Sequence, residues 1–166
     1  YIKNRRLWQA HGQAALERAH VCLINGTATG TEALKDLVLP GVGAFTVVDA
    51  AVVTPADLGN NFFVTPSHLG MPRAKVVTQL LKELNEDVDG KFVCEDAAAL
   101  LANDPAFFHQ FTLVIVTGRV SLASLLALDR ELYPRAIPLL VARNAGFVAS
   151  LRTVLHSHHV VEYHPD

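Results

Sequence analysis

The chain has 166 residues and a mass of 18.0 kDa, the length of one domain rather than two. Apolar residues make up 51% and charged residues 18%, which excludes a disordered chain and leaves apolar surface that needs a well-buried sheet or a partner to cover it. A net charge of −2, from 14 basic and 16 acidic residues, gives no general electrostatic case for nucleic acid or an acidic membrane.

The hydrophobic pattern alternates between helical spacing and short solid runs. Leu7, Trp8, His11, Ala14, Ala15 and Ala19 predict an amphipathic helix over residues 5–19. His20 to Asn25 is an apolar run of strand length. After a short turn, Ala33, Leu34, Leu37 and Val38 recur at helical spacing until Pro40-Gly41. Ala44 to Asp49 reads as a second strand, and residues 50–71, rich in Gly, Asn and Pro, read as irregular. Pro72 suits a first helical turn, where its missing N–H costs nothing, and Val77, Leu80, Leu81 and Leu84 line a helix to about Asn85. Lys91 to Cys94 is a short strand, Asp104-Pro105 a helix start, and Thr112 to Thr117 the clearest buried strand. Ser121 caps a helix carrying Leu122, Leu125, Leu126 and Leu132. Residues 137–142 and 146–155 follow as strands, separated by Asn144-Ala145-Gly146 in the manner of a hairpin.

Strand–helix–strand order with solid apolar strands implies an α/β fold: a Rossmann-like, doubly wound, mostly parallel sheet with an antiparallel edge hairpin and a helix in front. In such a fold the first strand–helix turn is the place for a phosphate. Here it reads Asn25-Gly26-Thr27-Ala28-Thr29-Gly30. A dinucleotide fingerprint needs G-x-G-x-x-G. With the third glycine set on Gly30, the first two positions hold Asn25 and Thr27. Thr27 puts a branched side chain where the backbone should approach a phosphate. Shifting the frame to Gly26 places Ala28 and Thr31 at the other positions, so again a single glycine matches. Asp49, 19 residues beyond Gly30, stands where an acid would hold a ribose, or else caps a strand end.

Several segments carry a resemblance. Leu7-Trp8, His11-Gly12-Gln13, Ala15-Leu16-Glu17, Ala28 to Glu32, Leu37 to Gly41, Gly59 to Phe63, Glu83 to Asn85, Asn103 to Pro105, Phe107-Phe108 and His164 to Asp166 together resemble the regulatory-subunit family of the neddylation-activating enzyme. The parent superfamily comprises the adenylating enzymes that activate ubiquitin and ubiquitin-like proteins, with the bacterial ThiF and MoeB proteins. Its heterodimers pair one subunit that adenylates and carries the thioester cysteine with another that keeps the fold and has lost the ATP site. The resemblance implies that this chain is of the second kind. It implies a single pseudo-adenylation domain over residues 1–166, the N-terminal part of a longer subunit of the cytoplasm and nucleus. It further implies no cofactor on this chain, ATP and Mg on the partner, and, as partners, the catalytic adenylating subunit and a ubiquitin-like protein. Gly59 to Phe63 and the loop favour neddylation over sumoylation.

The resemblance also locates the losses. Active members carry a glycine run where this chain has Asn25 to Gly30, and a second Asp where it has Ala51. An Arg-Gln pair is replaced by Asn60-Asn61, a lysine near the phosphates by Met71, and Arg73 stands in the place of a further basic residue. Aspartates fall on Val116 and Arg119. Each change removes a charge or a phosphate approach that ATP with magnesium requires. The N-terminal run Tyr1-Ile2-Lys3-Asn4 matches a segment whose arginine reaches the partner's ATP in trans, so Lys3 is a candidate for that contact, with Arg5 and Arg6 near enough to substitute. Lysine keeps the charge and loses the planar fork; the same residues also read as a solvated basic start to a helix. Phe62 and Phe63 are candidate anchors of the partner interface, or core plugs.

From the residues alone a second reading stays open: a nucleotide-dependent dehydrogenase or reductase with a degenerate glycine loop, supported by Asp49. An inactive scaffold fragment is a third. His156, His158, His159 and His164, with Glu162, lack a matching distant ligand for a metal and read as a polar face. Cys22 and Cys94 are too few for a disulfide scaffold or a cysteine zinc site, lack basic neighbours, and point to a reducing compartment. No apolar stretch nears the ~18 residues of a membrane span. The first residues lack the apolar core of a signal peptide.

Overall fold

The computed structural model describes residues 2–158, with side chains from residue 10 onward. Six strands form one sheet in the order β3-β2-β1-β4-β5-β6. They are β1 (His20–Ile24), β2 (Ala44–Val48), β3 (Asp89–Val93), β4 (Leu113–Thr117), β5 (Leu139–Ala145) and β6 (Val148–Val154). All neighbours are parallel except β5 and β6, which are antiparallel. The expected doubly wound sheet with an antiparallel edge is therefore present.

The strands are solidly apolar because both faces are covered. Alternation along β1 divides them: Val21 and Leu23 enter one core with Phe45, Val47, Leu34, Val38, Val77 and Leu81, while Cys22 and Ile24 enter the other with Val48, Phe108, Val114, Val116, Leu128 and Leu132. Phe45, Leu23, Leu34 and Leu81 are fully buried. Each such side chain stabilises the fold by about 1.5–3 kcal/mol relative to exposure.

The first core is roofed by α2 (Ala28–Val38) and α4 (Arg73–Lys82), the second by α6 (Leu122–Leu132) and the 3-10 segment Pro105–Gln110. Helix starts follow the capping residues. The Thr27 hydroxyl accepts from Gly30 N, and the Ser121 hydroxyl accepts from Ser124 N. An unexpected helix, α5 (Ala97–Asn103), starts where the Asp96 carboxylate accepts the Ala98 and Ala99 N–H groups. The Asp104-Pro105 start leads into 3-10 geometry rather than an α-helix. β3 begins at Asp89, earlier than the expected Lys91, because parallel pairing with Ala44 draws in Asp89 and Gly90 despite their poor strand propensity. α1 (Ile2–Glu17) runs earlier than the expected 5–19, and α4 ends at Lys82 rather than near Asn85.

The crossover from β2 to α4 is the segment read as irregular. It holds a short helix α3 (Pro55–Leu58), a 3-10 turn at Pro66–His68 and a small core of Val53, Val64 and Val76. Its two ends are zipped together: Val53 N donates to Met71 O, Gly70 N to Val53 O, and Arg73 N to Ala51 O.

Candidate functional site

In an open α/β sheet a ligand binds outside the carboxyl ends of the strands, where the order reverses. Here that point lies between β1 and β4. Asn25 leaves β1 with φ of 66°, a left-handed conformation that asparagine tolerates better than most residues. It thus makes the tight turn that the missing first glycine would have made. Its side-chain amide donates to the Thr117 carbonyl at 2.8 Å, and the Thr117 hydroxyl returns a bond to the Asn25 carbonyl at 2.6 Å. The Thr27 hydroxyl donates to the Thr117 hydroxyl at 2.8 Å. The carboxyl ends of β1 and β4 are stitched together by side chains where a phosphate would need room.

Gly30 keeps the packing role of a third glycine. A Cβ there would lie 2.8 Å from both the Leu23 Cδ1 and the Thr117 Oγ1, and 3.0 Å from the Asn25 carbonyl oxygen. No other residue fits without displacing its neighbours.

Asp49 sits just past β2 and is 2% exposed. Its Oδ2 accepts from Gly26 N at 2.8 Å and from Arg73 Nε at 2.7 Å, and its Oδ1 accepts from Ala51 N at 2.9 Å. Both oxygens accept within the chain, and the side chain is 1% exposed, so a ribose hydroxyl has no open approach to it. Arg73 forks onto a second acid, with Nη1 3.0 Å from Asp57 Oδ1. The other oxygen of Asp57 accepts from the N–H and hydroxyl of Thr54 at 2.8 and 2.7 Å. Burial raises the Asp57 carboxyl, but the two Thr54 donors and Arg73 together outweigh it and hold the group below its ordinary range. Arg73 is opposed by burial too, and its two carboxylates raise it.

The other expected positions separate cleanly. Asn61 is buried and donates to Thr31 Oγ1 at 3.2 Å while accepting from Phe63 N at 3.1 Å; Asn60 is exposed. Met71 lies on the surface of the crossover. Val116 is enclosed in the second core, so Thr117, its neighbour, is the residue whose side chain reaches the switch point. Neither Thr117 nor Asp57 stood out in the sequence. The signal for Thr117 was its place as the last residue of a buried strand, one before Gly118. Phe62 and Phe63 part company: Phe63 packs against the first core, while Phe62 is 86% exposed with its ring edge-on to Phe63 at 5.7 Å. Lys3 and Arg6 fall on α1, and their side chains lie outside those described.

A crevice lined by Ile24, Asn25, Asp96, Arg119, Ser121 and Ser124 holds about 220 Å³, and a second hollow beside it, sharing Arg119 and lined also by Gly118, Arg143 and Asn144, holds about 400 Å³. The residues present do not fit ATP with magnesium: the ribose acid is engaged, the second Asp position is Ala51, and Thr27 and Thr117 fill the phosphate approach.

Among the described residues, no group of three or more His, Cys, Asp or Glu is placed to hold a metal ion. The His156 ring lies tilted at 41° against Tyr133, with centroids 5.5 Å apart; His159, Glu162 and His164 lie outside the described residues. Cys22 is fully buried and its thiol is pushed far up by burial, the opposite of a reactive thiolate. Cys94 follows β3 and is exposed.

The backbone is close to that of solved proteins with adenylate ligands. *Escherichia coli* MccB with AMPCPP aligns with TM-score 0.80 over 93% of this chain and 48% of that one, at 15% identity. The *E. coli* tRNA N6-threonylcarbamoyladenosine dehydratase TcdA, in complex with AMP, aligns with TM-score 0.74 over 85% and 56%, at 19% identity. At such identities the likeness is one of fold. By sequence, the chain is 53% identical over all 166 residues to the NEDD8-activating enzyme E1 regulatory subunit of *Gallus gallus*, covering 31% of it. It is 44% identical over its whole length to the AXR1 regulatory subunit of *Arabidopsis thaliana*, again covering 31%. The chain thus spans about a third of the length of the curated relatives it matches. The ThiF family model matches residues 1–164, and on that match, together with the sheet order and the strand–turn–helix described above, this chain belongs to the ThiF family.

Proposed function

We propose that the chain is the adenylation-inactive domain of a regulatory subunit in a neddylation-activating heterodimer. It pairs with a catalytic ThiF-family subunit that holds ATP and magnesium, and so supports activation of a ubiquitin-like protein. The relatives at 44–53% identity carry regulatory-subunit names, which supports the role of the chain. The observation that carries its inactivity is the internal satisfaction of the nucleotide turn. Asp49 is bound by Gly26 and Arg73, and Thr27 by Thr117, so the acid and the hydroxyl nearest a nucleotide are already spent inside the chain. A rival dehydrogenase reading needs Asp49 for a ribose and fails on the same contacts.

Phe62 is the proposed anchor on the partner. An aromatic ring 86% exposed on an ordered segment costs the free chain hydration and yields binding energy when covered. Lys3, with Arg6 close by, is the proposed positive charge offered in trans to the partner's ATP.

Titration with ATP and magnesium, and with NAD, is expected to give no binding at micromolar concentrations. Mixing with an adenylating subunit whose glycine loop is intact is expected to give a stable complex. Lys3→Ala is expected to leave that complex intact and slow adenylation. Micromolar binding of either nucleotide to this chain refutes the inactive reading, and an unchanged rate with Lys3→Ala removes the trans role.

A further inference from the structure

The polar network at the switch point does not stop at the degenerate turn. From Gly26 it passes through Asp49 to Arg73 and through Arg73 to Asp57. From Asp57 it continues into the crossover, whose Asn60 and Asn61 N–H groups both reach the Asp57 carbonyl, at 3.3 and 2.8 Å. The Asn61 side chain then bridges Thr31 on α2 to the Phe63 backbone. Phe62 lies between these two residues. The Arg73 and Asp57 side chains are 14% and 10% exposed, and that of Asp49 is 1% exposed, so water screens the fork weakly.

We infer that Arg73 is a positioning residue for partner docking, using the former ribose acid Asp49 as a fixed post from which it holds Asp57 and thereby the segment that presents Phe62. The claim rests on the proposed docking role of Phe62. Its logic is steric as well as electrostatic. Phe63 is driven inward by the first core, and Asn61 is pinned by Thr31. The ring of Phe62 is left no inward route, and its outward pose is fixed as long as Asp57 stays in place. One guanidinium serves both acids because its Nε and Nη1 point to different carboxylates at once, a geometry that a lysine ammonium on a flexible stem does not reproduce.

The test uses the full chain and the adenylating partner subunit. Arg73→Lys keeps a charge without the fork and so weakens the arm to Asp57 while leaving the Thr54 contacts in place, whereas Asp57→Asn keeps the shape and weakens both the arm and the Thr54 contacts. Amide hydrogen exchange is followed at Thr54, Asn61, Gly70 and Met71 in the free chain, with β1 and β4 as internal reference. Partner affinity is measured in parallel. The expected result for Arg73→Lys, as for Asp57→Asn, is exchange about tenfold faster or more in the crossover alone, with affinity about tenfold weaker; faster exchange in Asp57→Asn with no change in Arg73→Lys would show that Thr54, not Arg73, holds the segment. Phe62→Ala is expected to weaken affinity without altering exchange. The double variant Asp57→Asn/Phe62→Ala is expected to be no weaker than Phe62→Ala by more than about twofold, because the two residues act through one contact. Unchanged exchange overturns the inference, as does faster exchange with wild-type affinity while Phe62→Ala still costs binding. If Phe62→Ala binds like the wild type, the docking reading itself fails; the exchange arm distinguishes the cases, since it reports on the network without the partner.

Discussion

Gly30 and Gly26 lie four residues apart in the same turn and should respond oppositely to the same added methyl. At Gly30 a Cβ meets Leu23 and Thr117 side-chain atoms at 2.8 Å and the Asn25 carbonyl at 3.0 Å. The Leu23 methyl can rotate away. The Asn25 carbonyl cannot, because it already accepts from Thr27 N at 2.9 Å and from the Thr117 hydroxyl at 2.6 Å. Crowding on three sides places the cost in the upper part of the ~1–3 kcal/mol range for overpacking. Replacing a helical glycine returns up to about 1 kcal/mol, so Gly30→Ala should lose about 1–2 kcal/mol net. At Gly26 the nearest atoms, on Val47, Val77 and Asp49, lie at 3.5–3.6 Å, ordinary contact distance. Gly26→Ala should be neutral or gain up to about 1 kcal/mol from a stiffer unfolded chain. Guanidinium denaturation at constant m-value reads both. A neutral or stabilising Gly30→Ala, or a Gly26→Ala as costly as Gly30→Ala, would refute the packing role given to the third glycine position.

Thr27→Gly, which restores a glycine of the fingerprint, should not confer ATP binding by calorimetric titration, because Arg73 and Gly26 still hold Asp49. Phe62→Ala should change stability by less than about 0.5 kcal/mol, as its ring is on the surface, whereas Phe108→Ala, fully buried, should cost about 3–5 kcal/mol in the same denaturation assay. His20 is held below its ordinary pKa by burial and by Lys91, with Asp89 opposing, and its Nε2 lies 2.9 Å from the Thr46 hydroxyl. The folded chain therefore favours neutral His20, and that contribution is present above the unfolded value of about 6.5 and lost as pH falls through the lower folded value. Denaturation midpoints at pH 7.5 and 5.5 should differ less in His20→Gln than in the wild type.

The sheet was legible because its signal is local. Runs such as Thr112 to Thr117 are apolar on both faces only when helices cover both faces, and Gly146, with φ of 58°, marks the edge hairpin that the turn residues announce. β3 was blurred by Asp89 and Gly90, which pair for want of competition at an edge. α5 went unseen because its first residues, Ala97 to Ala99, show no apolar periodicity and its start depends on one cap at Asp96. The departure from the glycine fingerprint was legible at Thr27, a branched residue where that pattern wants glycine. What stands in its place was not. Arg73 is 24 residues from Asp49 and 16 from Asp57, and nothing in those spacings announces a fork. Only the zipped crossover brings them together, through backbone bonds that any residue could make.

The ion pairs at the switch point also bear on reversibility. Removing one member of a buried charged set strands its partner at a cost of about 3–5 kcal/mol, and here Arg73 serves two buried acids at once. A variant redesigned to take a nucleotide at this turn would have to free Asp49, shrink Thr27 and add charge at Ala51 and Arg119. No single one of those steps gains a ligand, and the first already unsettles the domain. The internal bridge thus makes the closed turn self-sustaining on stability grounds alone.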